Sequence, residues 1–434
     1  MSSKIGLVSL GCAKATYDSE RLLNILRAAN YEFAAEHKES DLIIINTCGF
    51  INTAIAESIE AITYALDNCD KVIVTGCLGA RADFLKTKFP ALLQISGPDS
   101  AEDVLKCVQK YLPTNEHEYA TLIPQSRLRL APRHYAWLKI SEGCNQKCSF
   151  CVIPALRGKL KSRHMSQILT EAEYLLADGV KELLVVAQDT AAFGLDNQYQ
   201  KELIQGQMLD SRISTLTKEL GKLKAWIRLH YIYPYPIVDQ LIELMAAGLI
   251  LPYLDIPLQH ASPKILKVMR RPANMENMQK RIEKWRKTCP DLALRTTLIS
   301  GFPGETVADF DVLHDFIREI KFDRIGIFTY SDVPGAVANK FNSKVGEDIK
   351  NIRKDILLTT QEQISKAKLA KRIGNIETVL VDKVGKTIIA RSKYDAPEVD
   401  GVVRINTRKK LQSGDFVKVK ITDADEHDLG ARVA

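Results

Sequence analysis

The chain runs to 434 residues, 46% of them apolar and 26% charged, with a formal net charge of +7. That length exceeds one ordinary core and predicts two to four domains, and the composition excludes a disordered or collagen-like chain. No apolar stretch approaches the roughly 20 residues of a membrane span, and the opening "MSSKIGLVSLGC" has no secretory cleavage pattern, so a cytoplasmic protein with no membrane partner is the expectation.

The first hundred or so residues alternate apolar runs with amphipathic stretches. "KIGLVSLGC" leads into "DSERLLNILRAAN", "DLIIINTCGF" into "NTAIAESIEAITYAL", and "KVIVTGCL" into "ARADFLKTKF"; "AEDVLKCVQKYL" closes the segment. Short Val/Ile/Leu-rich runs, each followed by a helix, predict an α/β domain with a doubly wound parallel sheet at 1–115. Residues 113–133 are polar, hold three prolines and read as a linker.

A second alternation opens at "HYAWLKIS". Strands are predicted at "ELLVVAQDT", "AWIRLHYIYP", "YLDIPLQH", "LALRTTLISG" and "RIGIFTYSD", with helical intervals between most of them. Such strand-then-helix units fit a partial (βα)6 barrel over 130–365, fewer than the eight of a complete one. After "TTQEQISKAKLAKRIGN" the pattern changes. "ETVLVDKV", "KTIIARS", "GVVRIN" and "DFVKVKITDAD" are short strands without helical intervals, predicting a small OB-like five-strand β-barrel at 368–434.

Nine cysteines, an odd number, argue against a disulfide framework and for metal or redox chemistry. "SEGCNQKCSFCVIP" places Cys144, Cys148 and Cys151 together. A cubane [4Fe–4S] cluster offers one thiolate position per iron, so three ligands leave one iron open. A closed zinc site needs a fourth Cys or His, and His134 and His164 are nearby in sequence.

The CxxxCxxC spacing, with Phe150 before the last cysteine, resembles the radical S-adenosylmethionine superfamily. The resemblance implies that the open iron chelates S-adenosylmethionine. An electron then releases a 5′-deoxyadenosyl radical that removes hydrogen from an unactivated carbon, with the cofactor carrying the hard chemistry. It also implies cofactor contacts from Phe150, from Gln188 and Asp189 in "AQDT", and from Gly301, Gly304 and Glu305 in "SGFPGE". Turn glycines and a helix-start carboxylate are the plain alternative for the last three. Gln259 and His260 stand at an equivalent strand end, but a lone His is more often structural and stays out of the metal set.

Cys12, Cys48 and Cys77 each close a predicted strand, in "SLGC", "INTC" and "VTGC". Ligands of doubly wound sheets bind outside the carboxyl ends of the strands, so these thiols are expected to converge. Gly11, Gly49 and Gly76 stand beside them and are expected to give backbone room for a bulky cluster. Cys69, Cys107 and Cys289 lack matching partners and read as free thiols. A second trio predicts a second cluster with an open iron, and the affinity of iron for sulfide or thiolate suggests sulfur insertion.

The chain then resembles, over essentially its whole length, the methylthiotransferases, whose order is a cluster domain, a radical S-adenosylmethionine domain and a TRAM β-barrel. Carried over, Cys12, Cys48 and Cys77 hold an auxiliary [4Fe–4S] cluster, and Cys144, Cys148 and Cys151 the radical cluster. One S-adenosylmethionine methylates sulfur at the auxiliary site, a second generates the radical, and methylthio replaces a C–H hydrogen. A reducing electron-donor protein and a sulfur source are implied partners.

Two substrate classes occur in that family: an adenosine in transfer RNA, and an aspartate on a small-subunit ribosomal protein. Residues 373–434 hold 7 Lys and 4 Arg against 7 Asp and 3 Glu, too balanced for a barrel that grips RNA. "KYDAPEVDG" is expected to display Asp395, Glu398 and Asp400 to a basic ribosomal-protein loop. That segment, "GCAKATYDSE" and "SEGCNQKCSFCVIPALRGKLKSR" resemble the branch that modifies the β-carbon of an aspartate in small-subunit protein 12. Transfer RNA is the alternative, and RNA is otherwise met only through the ribosome. Ala13 and Ala15 stand where that branch more often has proline and asparagine, which puts hydrogen bonding around Cys12 in question. In the basic run Arg157, Lys159, Lys161 and Arg163, Arg157 and Lys159 are expected to meet the carboxylate of the target or of the cofactor.

Overall fold

The computed structural model describes residues 3–113 and 128–434, so most of the stretch read as a linker lies outside the described residues. The chain divides into two compact units. The first takes Met1–Ala131, Glu142–Lys161 and Ser331–Asn339; the second takes Pro132–Ser141, Ser162–Tyr330 and Lys340–Ala434.

In the first unit, strands β1 (Lys4–Ser9), β2 (Glu32–Phe33), β3 (Leu42–Thr47), β4 (Val72–Gly76) and β5 (Gln94–Ile95) form one parallel sheet in the order β2-β1-β3-β4-β5. The two-residue strands β2 and β5 carry no sequence signal of their own; they form because the chain passes the sheet edge. Helices α1 (Ala13–Ala28) and α4 (Ala101–Tyr111) cover one face, where Leu22, Leu26, Val104 and Leu105 pack on Ile5, Leu42, Ile44 and Ile73. Helices α2 (Asn52–Asn68) and α3 (Ala82–Lys88) cover the other, with Ile55, Ile62 and Leu85 on Ile43, Ile45, Val72 and Val74. Leu42 to Ile45 are all fully buried, as a strand covered on both faces requires. Helix α5 (Ile153–Arg157), with Pro154 in its first turn, belongs to the same unit.

In the second unit, six strands run parallel in the order β11-β10-β9-β8-β7-β6, an open sheet of (βα) type. They are β6 (Tyr135–Lys139), β7 (Glu182–Val186), β8 (Trp226–Leu229), β9 (Tyr253–Asp255), β10 (Ala293–Ser300) and β11 (Arg324–Thr329). Each lies in a run that the sequence marks as a strand. Helices α6 (Met165–Ala177), α7 (Ile213–Gly221), α8 (Val238–Ala246), α9 (Pro263–Val268), α10 (Met275–Thr288) and α11 (Val307–Ile320) fill the intervals, and α12 (Glu347–Ala370) follows. An antiparallel hairpin, Lys201–Ile204 with Gln207–Asp210, was not foreseen. Its turn is Gln205-Gly206, both at positive φ, a two-residue connection that such hairpins favour.

Strands β12 (Ile376–Lys383), β13 (Ile388–Ser392), β14 (Val403–Asn406), β15 (Phe416–Ala424) and β16 (Leu429–Val433) close the expected small barrel in the order β12-β13-β14-β16-β15. Val379, Val381, Ala390, Val403, Ile405, Val419, Ile421 and Ala431 fill it from alternate positions.

Candidate functional site

The first sheet has the strand order whose reversal lies between β1 and β3, and ligands of such sheets bind outside the strand ends at that reversal. Cys12 follows β1, Cys48 follows β3 and Cys77 follows β4. The three thiols are mutual electrostatic neighbours: Cys12 and Cys48 both act on Cys77. Cys12 is also the N-cap of α1, where the unsatisfied N–H groups of a helix favour a thiolate. Desolvation works to raise the Cys12 thiol, but Lys14, the Ala15 N–H and Arg157 outweigh it and hold it below its ordinary value. Burial pushes Cys48 and Cys77 up.

Gly11 leaves room beside a thiol, since a Cβ there would stand 3.5 Å from Cys48 Sγ, but Gly49 and Gly76 serve a different end from the one expected. A Cβ on Gly49 would lie 2.7 Å from the Leu78 N and 2.8 Å from the Cys77 carbonyl carbon. On Gly76, at φ +91°, it would meet the Asn46 Oδ1 at 2.3 Å and the Thr47 carbonyl at 2.5 Å. These glycines therefore let the strand ends close on one another rather than making room for a ligand.

Two unforeseen side chains brace the trio. The buried Ser58 hydroxyl accepts from the Cys48 N–H at 3.0 Å and donates to the Cys48 carbonyl at 2.9 Å. Asn46 donates to the Ala15 carbonyl at 2.9 Å and to Ser19 at 2.8 Å, fixing the first turn of α1. Ala13 is the first residue of that helix, a position at which alanine and proline both serve.

The second trio lies in a loop of the same unit. The Cys144 N–H donates to the Gly158 carbonyl at 3.1 Å, and Leu160 N–H to Asn145 Oδ1 at 3.0 Å, so the loop folds back on itself. Gly143, at φ +74°, allows the crossing: a Cβ there would stand 2.1 Å from the Lys159 carbonyl. The sulfurs accept backbone bonds, Cys144 from Gln146 and Cys151 from Ile153, both at 3.4 Å. Burial pushes the Cys151 thiol up to about 12, against the Ile153 N–H and with Cys148 and Cys144 adding to the rise. Bound metal would hold such a thiol ionised.

Among the described residues, neither trio gathers its sulfurs within 4.8 Å of one another. A tetrahedral zinc with bonds of about 2.3 Å needs sulfurs about 3.8 Å apart, closer than either trio stands here. His134, the nearby fourth ligand considered for zinc, is committed to Asp382 at 2.7 Å. Cys107 and Cys289 lie in hydrophobic cores, and Cys69 contacts backbone carbonyls.

In the second unit the strand ends carry the other candidates. Gln188 is half-buried, and Asp189 is buried and accepts from the Tyr235 hydroxyl at 2.9 Å. Around Gly304, at φ +87°, the position of a Cβ is open. Glycine at 301 answers to the protein itself, since a Cβ there would lie 2.2 Å from Lys350 Cγ.

Comparison with known proteins agrees with this arrangement. Residues 4–93 match the family described as uncharacterized protein family UPF0004, residues 138–317 the radical SAM superfamily, and residues 373–434 the TRAM domain. A solved radical S-adenosylmethionine methyltransferase, TsrM from Kitasatospora setae, shares the fold with a TM-score of 0.55 at 15% identity, over 76% of this chain and 75% of that one. The chain is 51% identical to the ribosomal protein uS12 methylthiotransferase RimO of Dechloromonas aromatica, over 99% of this chain and 98% of that one. It is 51% identical to the RimO of a Legionella pneumophila strain, over 99% of each, and 49% to that of Chromobacterium violaceum, over 98% of each. The chain belongs to the RimO family.

Three expectations need correction for this RimO-family chain. Glu305 does not face a ligand: its side chain is fully buried, paired with Arg353, 3.2 Å from His260 and accepting the Gly301 N–H at 2.9 Å. The helix start there is capped by Thr306 and Asp309 instead. Arg157 is not free for a carboxylate ligand. Its side chain is 2% exposed and donates to Cys77 Sγ at 3.1 Å, to Asp18 at 3.1 Å and to Glu142 at 3.0 Å. Arg163 is likewise committed, to the Lys139 carbonyl and Glu171, which leaves Lys159 and Lys161 exposed in that run.

The third correction concerns the acidic segment of the small barrel. Asp395 is buried against Arg324 at 2.6 Å and accepts from Ser392 at 2.6 Å. Asp400 accepts from Tyr253 at 2.6 Å and pairs with Arg295 at 3.3 Å, while the exposed Glu398 accepts from Tyr135 at 2.8 Å. Tyr135, Tyr253 and Arg324 are the first residues of their strands. The acids therefore dock the barrel at the amino ends of the β6–β11 sheet, the end associated with stability. Charge balance consequently says nothing about the substrate.

Proposed function

We propose that the chain is a radical S-adenosylmethionine methylthiotransferase that acts on ribosomal protein uS12, inserting a methylthio group at the β-carbon of an aspartate. The enzyme class and the target protein follow from relatives about 50% identical over the full length. What sets methylthio transfer apart from other radical chemistry is the second thiol trio at the strand ends of the first sheet, and that observation carries the reading.

The residues fit two [4Fe–4S] clusters: Cys144, Cys148 and Cys151 would hold one, and Cys12, Cys48 and Cys77 the other, each leaving an iron open. When bound, these clusters and S-adenosylmethionine supply the electron, the hydrogen-abstracting radical and the methylated sulfur. The chain's own residues bind and orient. Ser58 and Asn46 fix the turns that carry Cys48 and Cys12, and Gly143 lets the 144–151 loop fold back. Gln188, Asp189 and the open face at Gly304 are the contacts we assign to S-adenosylmethionine, and Lys159 is an exposed cation we assign to the substrate carboxylate. A reducing protein and a sulfur donor complete the partner set. No helix among the described residues is long and apolar enough to cross a membrane. A ribosomal-protein substrate places the enzyme in the cytoplasm.

Mass spectrometry on cells lacking the gene tests the reading. Loss of the methylthio increment from the aspartate of uS12, restored by the parent chain but not by a Cys12/Cys48/Cys77 triple-alanine variant, is the expected outcome. An unmodified uS12 in normal cells, with methylthio-adenosine lost from transfer RNA on deletion, would transfer the activity to the alternative substrate.

A further inference from the structure

Arg157 is a buried cation of the first unit, bonded to Cys77, Asp18 and Glu142. It ends α5, which the loop bearing Cys144, Cys148 and Cys151 leads into, yet its guanidinium reaches the other trio: Nε donates to Cys77 Sγ at 3.1 Å. Nη1 is held by Asp18 at 3.1 Å and by both oxygens of Glu142 at 3.0 Å. Val152 and Leu156, on the turn that carries it, pack with Cys77, Phe50, Val333 and Ala336, so the placement is built by the fold. Burial works against the charge, but Cys77, Asp18, Glu142 and Cys12 outweigh it and keep the group protonated. Nη2 is buried and has no partner among the described residues. A buried donor of this kind is costly to the fold unless something accepts from it.

The guanidinium is planar, and its Nε–H and the nearer Nη2–H form a parallel two-pronged fork. With the first prong on Cys77 Sγ, the second faces the same side, where Cys12 and Cys48 also lie within electrostatic reach. We propose that Arg157 is a positioning residue of the auxiliary centre, holding the Cys77 thiolate with Nε–H and offering Nη2–H to an anionic sulfur, sulfide or alkyl thiolate, carried at the open iron. The inference rests on the two-cluster reading. It means that the loop of one centre supplies the cation that sets the charge balance of the other. Hydrogen bonds to cluster sulfurs and local net charge set reduction potential, so the Arg157 cation raises that of the auxiliary centre.

The test uses full-length chain with Cys144, Cys148 and Cys151 changed to alanine, leaving one centre to observe. Its potential is read by an EPR-monitored redox titration, and methanethiolate is the probe for the open iron. In this background Arg157→Gln retains about four irons, lowers the potential and weakens methanethiolate binding roughly tenfold to a hundredfold, the scale of one charge-assisted hydrogen bond. Arg157→Lys, which keeps the charge, recovers part of the potential. An Arg157→Gln variant with its iron intact and both readouts unchanged overturns the inference. Where Arg157→Gln does not load, Glu142→Gln decides: freeing Nη1 from that anion raises the potential, and an unmoved potential overturns the inference. A background variant that binds no iron at all removes the two-cluster reading, and this inference with it.

Discussion

Gly49→Ala tests whether the strand ends are held at the spacing a cluster needs. Gly49 has an ordinary negative φ, so alanine adds a methyl group without backbone strain. That methyl group would stand 2.7 Å from the Leu78 N and 2.8 Å from the Cys77 carbonyl carbon and the Leu78 Cα, all of them backbone atoms. To regain a contact of about 3.5 Å, the Cys77–Leu78 peptide has to retreat by roughly 0.8 Å. Overpacking of this kind costs about 1–3 kcal/mol. The displacement also exceeds the roughly 0.2 Å tolerance of metal–ligand distances several-fold, so Cys77 leaves the set that Cys12 and Cys48 complete. Anaerobically reconstituted Gly49→Ala is therefore expected to hold about four irons in place of about eight, four per cubane. Gly97→Ala, whose added methyl group meets open space, is the control and should hold the parent's iron. A Gly49→Ala chain with parental iron content and stability would refute the reasoning.

Asp395→Ala and Asp400→Ala break buried pairs with Arg324 and Arg295, and each should cost about 3–5 kcal/mol in chemical denaturation while leaving KM for uS12 unchanged. A raised KM at parental stability would return these acids to the substrate surface. Asp255 is buried, which works to raise its carboxyl, but His230, Arg295 and the Tyr231 N–H hold it at about 2. With its folded value depressed from the ordinary 3.8, it contributes roughly 2 kcal/mol above pH 4, and that contribution is lost as pH falls through about 2. The acid limb of a stability–pH curve should flatten correspondingly in Asp255→Asn. Lys159→Gln should raise KM for uS12 without altering iron content, and an unchanged KM would remove Lys159 from the substrate contacts.

The architecture was legible because its signals are local. Leu42 to Ile45 announce a strand buried on both faces, and the six runs from "HYAWLKIS" to "RIGIFTYSD" each carry a parallel strand. The convergence of Cys12, Cys48 and Cys77 was legible for a related reason: a thiol at the end of a parallel strand has its position fixed by the sheet. Partnerships across long sequence separations were not legible. Nothing near Arg157 in the sequence points to Cys77, 80 residues away, and nothing near Asp400 points to Tyr253, 147 residues away. Both were read as charges facing the substrate, because charged residues are usually on the surface. Only the fold shows that they are spent inside. Ser58 was missed because a serine within an amphipathic helix has no signature separating a buried brace from a surface hydroxyl.

The most direct measurement is iron and acid-labile sulfide per chain after anaerobic purification, on the parent and on the two triple-alanine variants. Two thiol trios that each hold a cubane predict about eight irons in the parent and about four in either variant. About four irons in the parent, unchanged when Cys12, Cys48 and Cys77 are replaced, would contradict the account.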